Sequence, residues 1–277
     1  MFGLRRENGL AVDAAAQDAH LVLRRAAPTL VAEDIHLVYR DGNVPTKALE
    51  GVNLRVANGE FLCILGPSGC GKTSLLRVLS GLVRPTQGRV YLDNELLTRP
   101  SRRVGLVFQA ANLMPWRTVL RNVTLPLEVA GIPLAEAERR ARALLDLVGL
   151  AGFEQAHPAQ LSGGMQQRVA IARALVQDPV VLLMDEPFGA LDALTRERLS
   201  LEFLRIWSTR RQTVVMVTHD IQEAIFLADR VLVLSPRPGR VVLEMAVPLP
   251  RPRTLDVLYT SEFAALAREA RGAIAQA

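Results

Sequence analysis

The chain has 277 residues, 49% hydrophobic and 22% charged, with 19 Gly and 16 Pro, proportions that exclude disorder throughout and suit one large or two small globular domains. No apolar run approaches the roughly 18 residues of a membrane span, and two cysteines, Cys63 and Cys70, provide neither a disulfide framework nor metal-ligand spacing. The net charge of +5 invites a nucleic-acid partner, but the arginine pairs are scattered and no interleaved aromatics form a stacking surface, so no nucleic acid is expected. Residues 1–27 mix Ala, Arg, Asp and Gln without periodicity and read as a flexible extension; Asp13 and Asp18 interrupt any export-signal core, and the chain is expected to stay inside the cell. From Leu30 to Val107 short β-like runs dominate, at 35–39, 52–56, 61–65, 90–92 and 104–108, separated by turn clusters such as Ala57-Asn58-Gly59 and Asp93-Asn94. One helix, following Lys72, breaks the series.

Between Val119 and about Leu150 the period becomes helical. Leu134, Ala137, Ala141, Leu144, Leu145 and Val148 recur at spacings of three and four, with Glu138, Arg139, Arg140 and Arg142 opposite, which predicts a helical insert. After Leu161 helices at 164–176, 193–210 and from 221 alternate with buried strands at 180–184 and 213–217, the pattern of a parallel sheet with helices on both faces. Strands at 231–234 and 241–245 flank the hairpin signal Pro236-Arg237-Pro238-Gly239. A stiff proline-rich connector follows Pro248, and a helix at 262–275 closes the chain.

Gly66-Pro67-Ser68-Gly69-Cys70-Gly71-Lys72-Thr73 matches the P-loop pattern and lies between the apolar strand 61–65 and the helical stretch 74–79. A chance match in a chain of this length is on the order of one in a hundred, and the flanking elements lower that further. Its glycines let successive backbone N–H groups and a helix N-terminus face phosphates; Lys72 bridges the β- and γ-phosphates and Thr73 ligates Mg²⁺ in this reading. Of 33 Lys and Arg, only Lys47 and Lys72 are lysine, and a compact ammonium between phosphates is the place where a guanidinium does not substitute. Cys70 reads as a small tolerated residue without chemistry; the second reading is an alkylation handle, since a helix N-terminus lowers a thiol pKa. The run 181–184 ends in Asp185 and Glu186, a metal-holding acid and a general base for an attacking water. Ser162 caps a helix opened by Gly163, Gly164 and Met165, a weaker anion site whose simpler reading is a loop and cap.

Taken together, the P-loop, Gln109 after strand 104–108, the Leu161 to Met165 signature, Asp185-Glu186, Ala190-Leu191-Asp192 and His219 after strand 213–217 resemble the nucleotide-binding subunit of ABC transporters, in order and spacing across about residues 30–245. The resemblance implies an α/β fold: a P-loop NTPase (RecA-like) core with a parallel sheet, an antiparallel β subdomain and an α-helical subdomain. It places the ATPase domain at 28–247, with the helical subdomain at about 110–165, and leaves 248–277 as connector and helix. It implies ATP contacts from Gly66, Pro67, Ser68, Gly69, Cys70, Gly71, Lys72, Thr73 and Ser74, with Tyr39 stacked on adenine. Glu186 is then the general base, His219 holds the γ-phosphate and water in line, and Gln109 joins Thr73 and Asp185 at Mg²⁺. Two copies sandwich two ATP molecules, Ser162, Gly163, Gly164 and Met165 acting in trans and Asp192 lying at the dimer seam.

Two stretches look like the importer branch serving nitrate, aliphatic sulfonates and taurine: Asp185-Glu-Pro-Phe-Gly-Ala-Leu-Asp-Ala-Leu-Thr195-Arg196 and Leu113-Met-Pro-Trp116-Arg-Thr-Val119. Ser235-Pro-Arg-Pro-Gly-Arg240 is a softer third. In that branch Trp116 meets the permease, an extracytoplasmic binding protein delivers the substrate, and the subunit sits peripherally on the cytoplasmic face of the inner membrane. Met165 departs from the commoner Gln of the family signature, and no regulation by a large sensor domain after Pro248 is expected. Vitamin-precursor import, a non-transport ABC ATPase of a soluble complex and a small-molecule P-loop kinase are the alternatives. The long coiled-coil inserts and zinc motifs usual in the second are absent, and the third has no use for the signature.

Overall fold

The structure, a computed structural model, describes residues 28–40, 44–189 and 191–276. The expected extension over 1–27 lies outside the described residues, as does Ala190. Ten strands and seven α-helices are arranged around two sheets in the described residues. In the larger sheet, of order β10-β9-β3-β8-β7-β6, five strands run parallel: β3 (Phe61–Leu65), β6 (Val104–Val107), β7 (Val181–Asp185), β8 (Thr213–Thr218) and β9 (Arg230–Leu234). β10 (Val241–Ala246) returns antiparallel to β9, as the hairpin signal predicts. Every residue of β3 and β8 is buried, because helices cover both faces and leave no alternation to read.

Register fixes the position of the chemistry. Leu65 pairs with Thr218, Asp185 with Val217 and Val107 with Met184. The segments following β3, β8, β7 and β6 therefore emerge along one edge, where open α/β sheets bind ligands. The smaller antiparallel sheet, order β2-β1-β4-β5, contains β1 (Pro28–Tyr39), β2 (Thr46–Ala57), β4 (Gln87–Leu92) and the short β5 (Glu95–Leu96). Its Leu30, Ile35, Leu49 and Val52 pack with Leu62 and Ile64 of β3 and with Leu75 and Leu79 of α1 (Lys72–Leu79). That packing delivers the end of β1 to the start of α1.

The helical stretch after Val119 is two helices, α2 (Val119–Val129) and α3 (Leu134–Leu147), separated by a turn in which Gly131 takes φ 76° and Pro133 precedes the new helix. Ala137, Ala141, Leu144, Leu145 and Val148 are buried as expected, but Leu134 sits with Val129 at the exposed hairpin tip. α4 (Gly163–Leu175) packs against α2 and α3 and joins their core to the sheet. α5 (Ala193–Arg210) contributes Phe203 and Trp207, whose rings meet Phe61 edge-on at 5.9 and 5.8 Å.

The segment after Pro248 is more than a spacer. Arg253 is buried and donates to the carbonyls of Ile225, Phe226, Ala228, Val247 and Leu249. It thereby serves the C-terminal carbonyls of α6 (Ile221–Leu227) that the helix itself leaves open. Burial lowers the Arg253 pKa to about 9. α7 (Ser261–Gln276) then docks through Phe263 and Ala270.

Candidate active site

The chain leaves β3 and turns sharply through Gly69, at φ 76°, and Gly71, at φ 111°. At Gly71 a Cβ would stand 2.8 Å from the Ala48 carbonyl oxygen and 2.9 Å from Leu49 Cδ2, so both conformation and space demand glycine. Lys72, only 5% exposed, folds back over the loop: its Nζ donates to the carbonyls of Gly66 at 2.8 Å and Pro67 at 3.1 Å and lies 3.7 Å from Glu186 Oε1. Ser68, Gly69 and Thr73 face solvent. The Tyr39 hydroxyl donates to Ser74 Oγ at 3.1 Å, which ties the end of β1 to the first turn of α1. Cys70 corrects the alkylation reading. Its thiol is buried, and burial pushes its pKa up more than the neighbouring Lys72 ammonium brings it down.

Across the edge, the Thr73 hydroxyl donates to Asp185 Oδ1 at 3.0 Å. Burial pushes the Asp185 carboxyl up, and the Glu186 charge adds to that push. A hydroxyl and a carboxylate at hydrogen-bond distance form an oxygen-only donor pair of the kind that holds Mg²⁺ together with phosphate oxygens, so these residues fit the ion. Among the described residues no cluster of three His, Cys, Asp or Glu offers an all-protein metal site. Glu186 is in the left-handed region at φ 43°, fixed by its N–H on the Val217 carbonyl and by its own carbonyl, which accepts from Gly189. That twist aims its carboxylate at His219, whose Nδ1 lies 3.0 Å from Glu186 Oε2.

Gln109 is exposed just beyond the end of β6, whose neighbour β7 ends in Asp185. Ser162 caps α4 by accepting from the Met165 N–H at 3.3 Å, as its position predicts. A Cβ on Gly163 would lie 3.6 Å from Leu191 Cδ2 and one on Gly164 3.3 Å from Thr195 Cγ2, so the start of α4 rests on the start of α5. Asp192 caps α5, accepting from the Thr195 N–H at 3.0 Å, and the Thr195 hydroxyl first, then that N–H, hold its carboxyl below the usual range. Trp116 is 74% exposed at the tip of a loop, whereas Leu113 packs on the core. Among the described residues no hydrogen bond or ion pair joins Trp116 or Ser162 to Met165 to the P-loop. The sequence reading gave no role to Arg237, whose Nε donates to the Gly69 carbonyl at 3.1 Å from the β9–β10 hairpin, nor to Arg196 and Asp220 beside His219. Only the Pro-Arg-Pro-Gly turn hinted at the first; contacts 168 residues apart leave no local pattern.

A strand, P-loop and helix beside an acid pair, with a polar residue at the end of each neighbouring strand, define a nucleotide-hydrolysing cassette of the P-loop class. The profile of the ABC transporter family matches residues 49–189, and the chain belongs to that family as an ATP-binding subunit, an ATPase that hydrolyses ATP for transport. It is 46% identical over 230 residues to the bicarbonate transport ATP-binding protein CmpD of Synechocystis sp., covering 82% of each chain. It is 41% identical over 232 residues to the aliphatic sulfonates import ATP-binding protein SsuB of Bacillus cereus, covering 83% of this chain and 91% of that one. The dimeric post-hydrolysis structure of the ATP-binding cassette MJ0796 bound to ADP and Pi superposes with a TM-score of 0.70 at 37% identity, over 79% of this chain and 98% of that one.

Proposed function

We propose that this subunit energises uptake of a small anion, such as nitrate, bicarbonate, an aliphatic sulfonate or taurine, through a membrane permease that Trp116 contacts. Relatives named for bicarbonate and aliphatic sulfonates support the substrate class. Substrate choice rests with the permease and its extracytoplasmic binding protein; this chain handles ATP. No helix among the described residues is long and apolar enough to cross a membrane; attachment at the cytoplasmic face, in this reading, runs through the permease.

The observation that carries the reading is the convergence of Lys72, Thr73, Asp185, Glu186 and His219 at one sheet edge. The exposed amides of the P-loop and the start of α1 cradle the ATP phosphates, and Lys72 shifts from its carbonyl partners to the β- and γ-phosphates. Tyr39, held by Ser74, stacks on adenine. Thr73, Asp185 and Gln109 would hold Mg²⁺, which would supply neutralising charge to the phosphates. Glu186 accepts the proton of the attacking water at its carboxylate, and His219 keeps that carboxylate and the γ-phosphate aligned. Two copies close head to tail; the MJ0796 cassette is likewise dimeric. Ser162, Gly163, Gly164 and Met165 of each then meet the γ-phosphate bound by the other, with Asp192 at the seam. In proteoliposomes containing the permease and binding protein, ATP turnover rises when a transported anion of this class is supplied. Turnover indifferent to nitrate, bicarbonate, alkanesulfonates and taurine alike would contradict the substrate class.

A further inference from the structure

Arg196, in the first turn of α5, reaches two segments of the hydrolytic centre at once. Its Nη1 donates to Asp220 Oδ2 at 2.9 Å and its Nη2 to the Leu191 carbonyl at 3.1 Å. Asp220 follows His219 directly and caps α6, its Oδ1 accepting from the N–H groups of Gln222 and Glu223. Its own N–H donates to Thr218 Oγ1, so the turn carrying His219 is bonded on both sides. Leu191 lies on the segment leaving Glu186, downstream of the Gly189 N–H that bonds the Glu186 carbonyl. The Glu186–His219 contact is thus spanned a second time, from behind, by one guanidinium. The arginine keeps this pose although its Nε is buried without an acceptor among the described residues. An unmet buried donor is unfavourable, so the two acceptors dictate the pose.

We propose that Arg196 is a positioning residue for hydrolysis: it holds the His219 turn against the segment following Glu186, and so sets the distance between His219 Nδ1 and the Glu186 carboxylate. The proposal rests on the assignment of Glu186 and His219 to the hydrolytic step. Thr195, its neighbour, also carries the contact with Gly164, so the same turn adjoins the segment proposed to meet the partner protomer's ATP.

The test compares Arg196→Ala, His219→Ala and the double variant in the full-length protein, reading kcat, KM and the Kd of ATP. Asp220→Asn is the second probe, since an asparagine keeps the helix cap but removes the charge of the pair. The expected result is a 10- to 100-fold fall in kcat for Arg196→Ala and a smaller fall for Asp220→Asn, with KM and Kd within twofold of the parent. The double variant should be no slower than His219→Ala. Wild-type kcat in both Arg196→Ala and Asp220→Asn, or losses that multiply in the double variant, would overturn the positioning role. Wild-type turnover in His219→Ala would instead overturn the assignment of His219, whatever Arg196 does. Should Arg196→Ala fail to fold, Asp220→Asn alone and combined with His219→Ala gives the same comparison.

Discussion

Cys70 shows how a local rule can lose to its surroundings. A helix N-terminus and an adjacent lysine both favour a thiolate, yet the sulfur is packed so tightly under the loop that a Cβ on Gly66 would stand 2.7 Å from it. Desolvation prevails. The native protein should therefore resist iodoacetamide at pH 8, with Cys63 and Cys70 both labelled only after denaturation; rapid labelling of Cys70 in the folded state contradicts its burial. Glu223 gives a pH signature. Burial raises its pKa from 4.5 to about 7, although the Thr218 hydroxyl donates to it. Below pH 4.5 the carboxyl is protonated in both folded and unfolded chains, and its contribution to stability is fully present. As pH rises above 4.5 the unfolded carboxyl ionises while the buried one still holds its proton, so that contribution falls away and is lost once pH has passed the folded value of about 7. Glu223→Gln, neutral throughout, should flatten the fall in thermal midpoint between these limits. A variant that keeps the parent's slope rules this group out as its source.

Elements place these side chains, and some do so through single buried polar residues. Asn122, fully buried on α2, accepts from the Met114 N–H and donates to the carbonyls of Met114, Arg117 and Thr118. The loop displaying Trp116 is thereby fastened to a helix. Asn122→Ala leaves several buried backbone groups unpaired and should destabilise the fold by about 2–3 kcal/mol, measured by denaturant unfolding, while ATP affinity is unchanged. An unchanged midpoint contradicts the clamp. The buried strands β3, β7 and β8 were legible in the sequence because a parallel sheet covered on both faces writes itself as short unbroken apolar runs. The P-loop was legible because its geometry needs glycines at fixed places in one continuous stretch. The break between α2 and α3 was not read, since apolar spacing continues across Gly131 and Pro133 and masks the turn. Nor could the sequence show Arg253 gathering five carbonyls, or Tyr39 meeting Ser74 across 35 residues, because such contacts depend on folding that brings distant segments together.

At the scale of the whole molecule, one protomer brings Lys72, Thr73, Asp185, Glu186 and His219 to one sheet edge, while among the described residues no hydrogen bond or ion pair joins its Ser162 to Met165 segment or Trp116 to the P-loop. On the function proposed above, the hydrolytic edge of one copy would face the Ser162 to Met165 segment of another, the loop bearing Trp116 would report closure to a permease, and ATP would drive association that hydrolysis reverses. The central claim is that Glu186 removes the proton from the attacking water while binding and closure depend on other residues. The direct test is Mg²⁺-dependent ATP hydrolysis by the parent protein and by Glu186→Gln, with dimerisation followed by size exclusion in ATP. The account predicts turnover reduced about 10²- to 10⁴-fold in the variant, together with a dimer that persists in ATP because it is no longer dismantled. Parent-like turnover in the variant, or a variant that neither hydrolyses ATP nor dimerises under conditions where the parent does both, would contradict it.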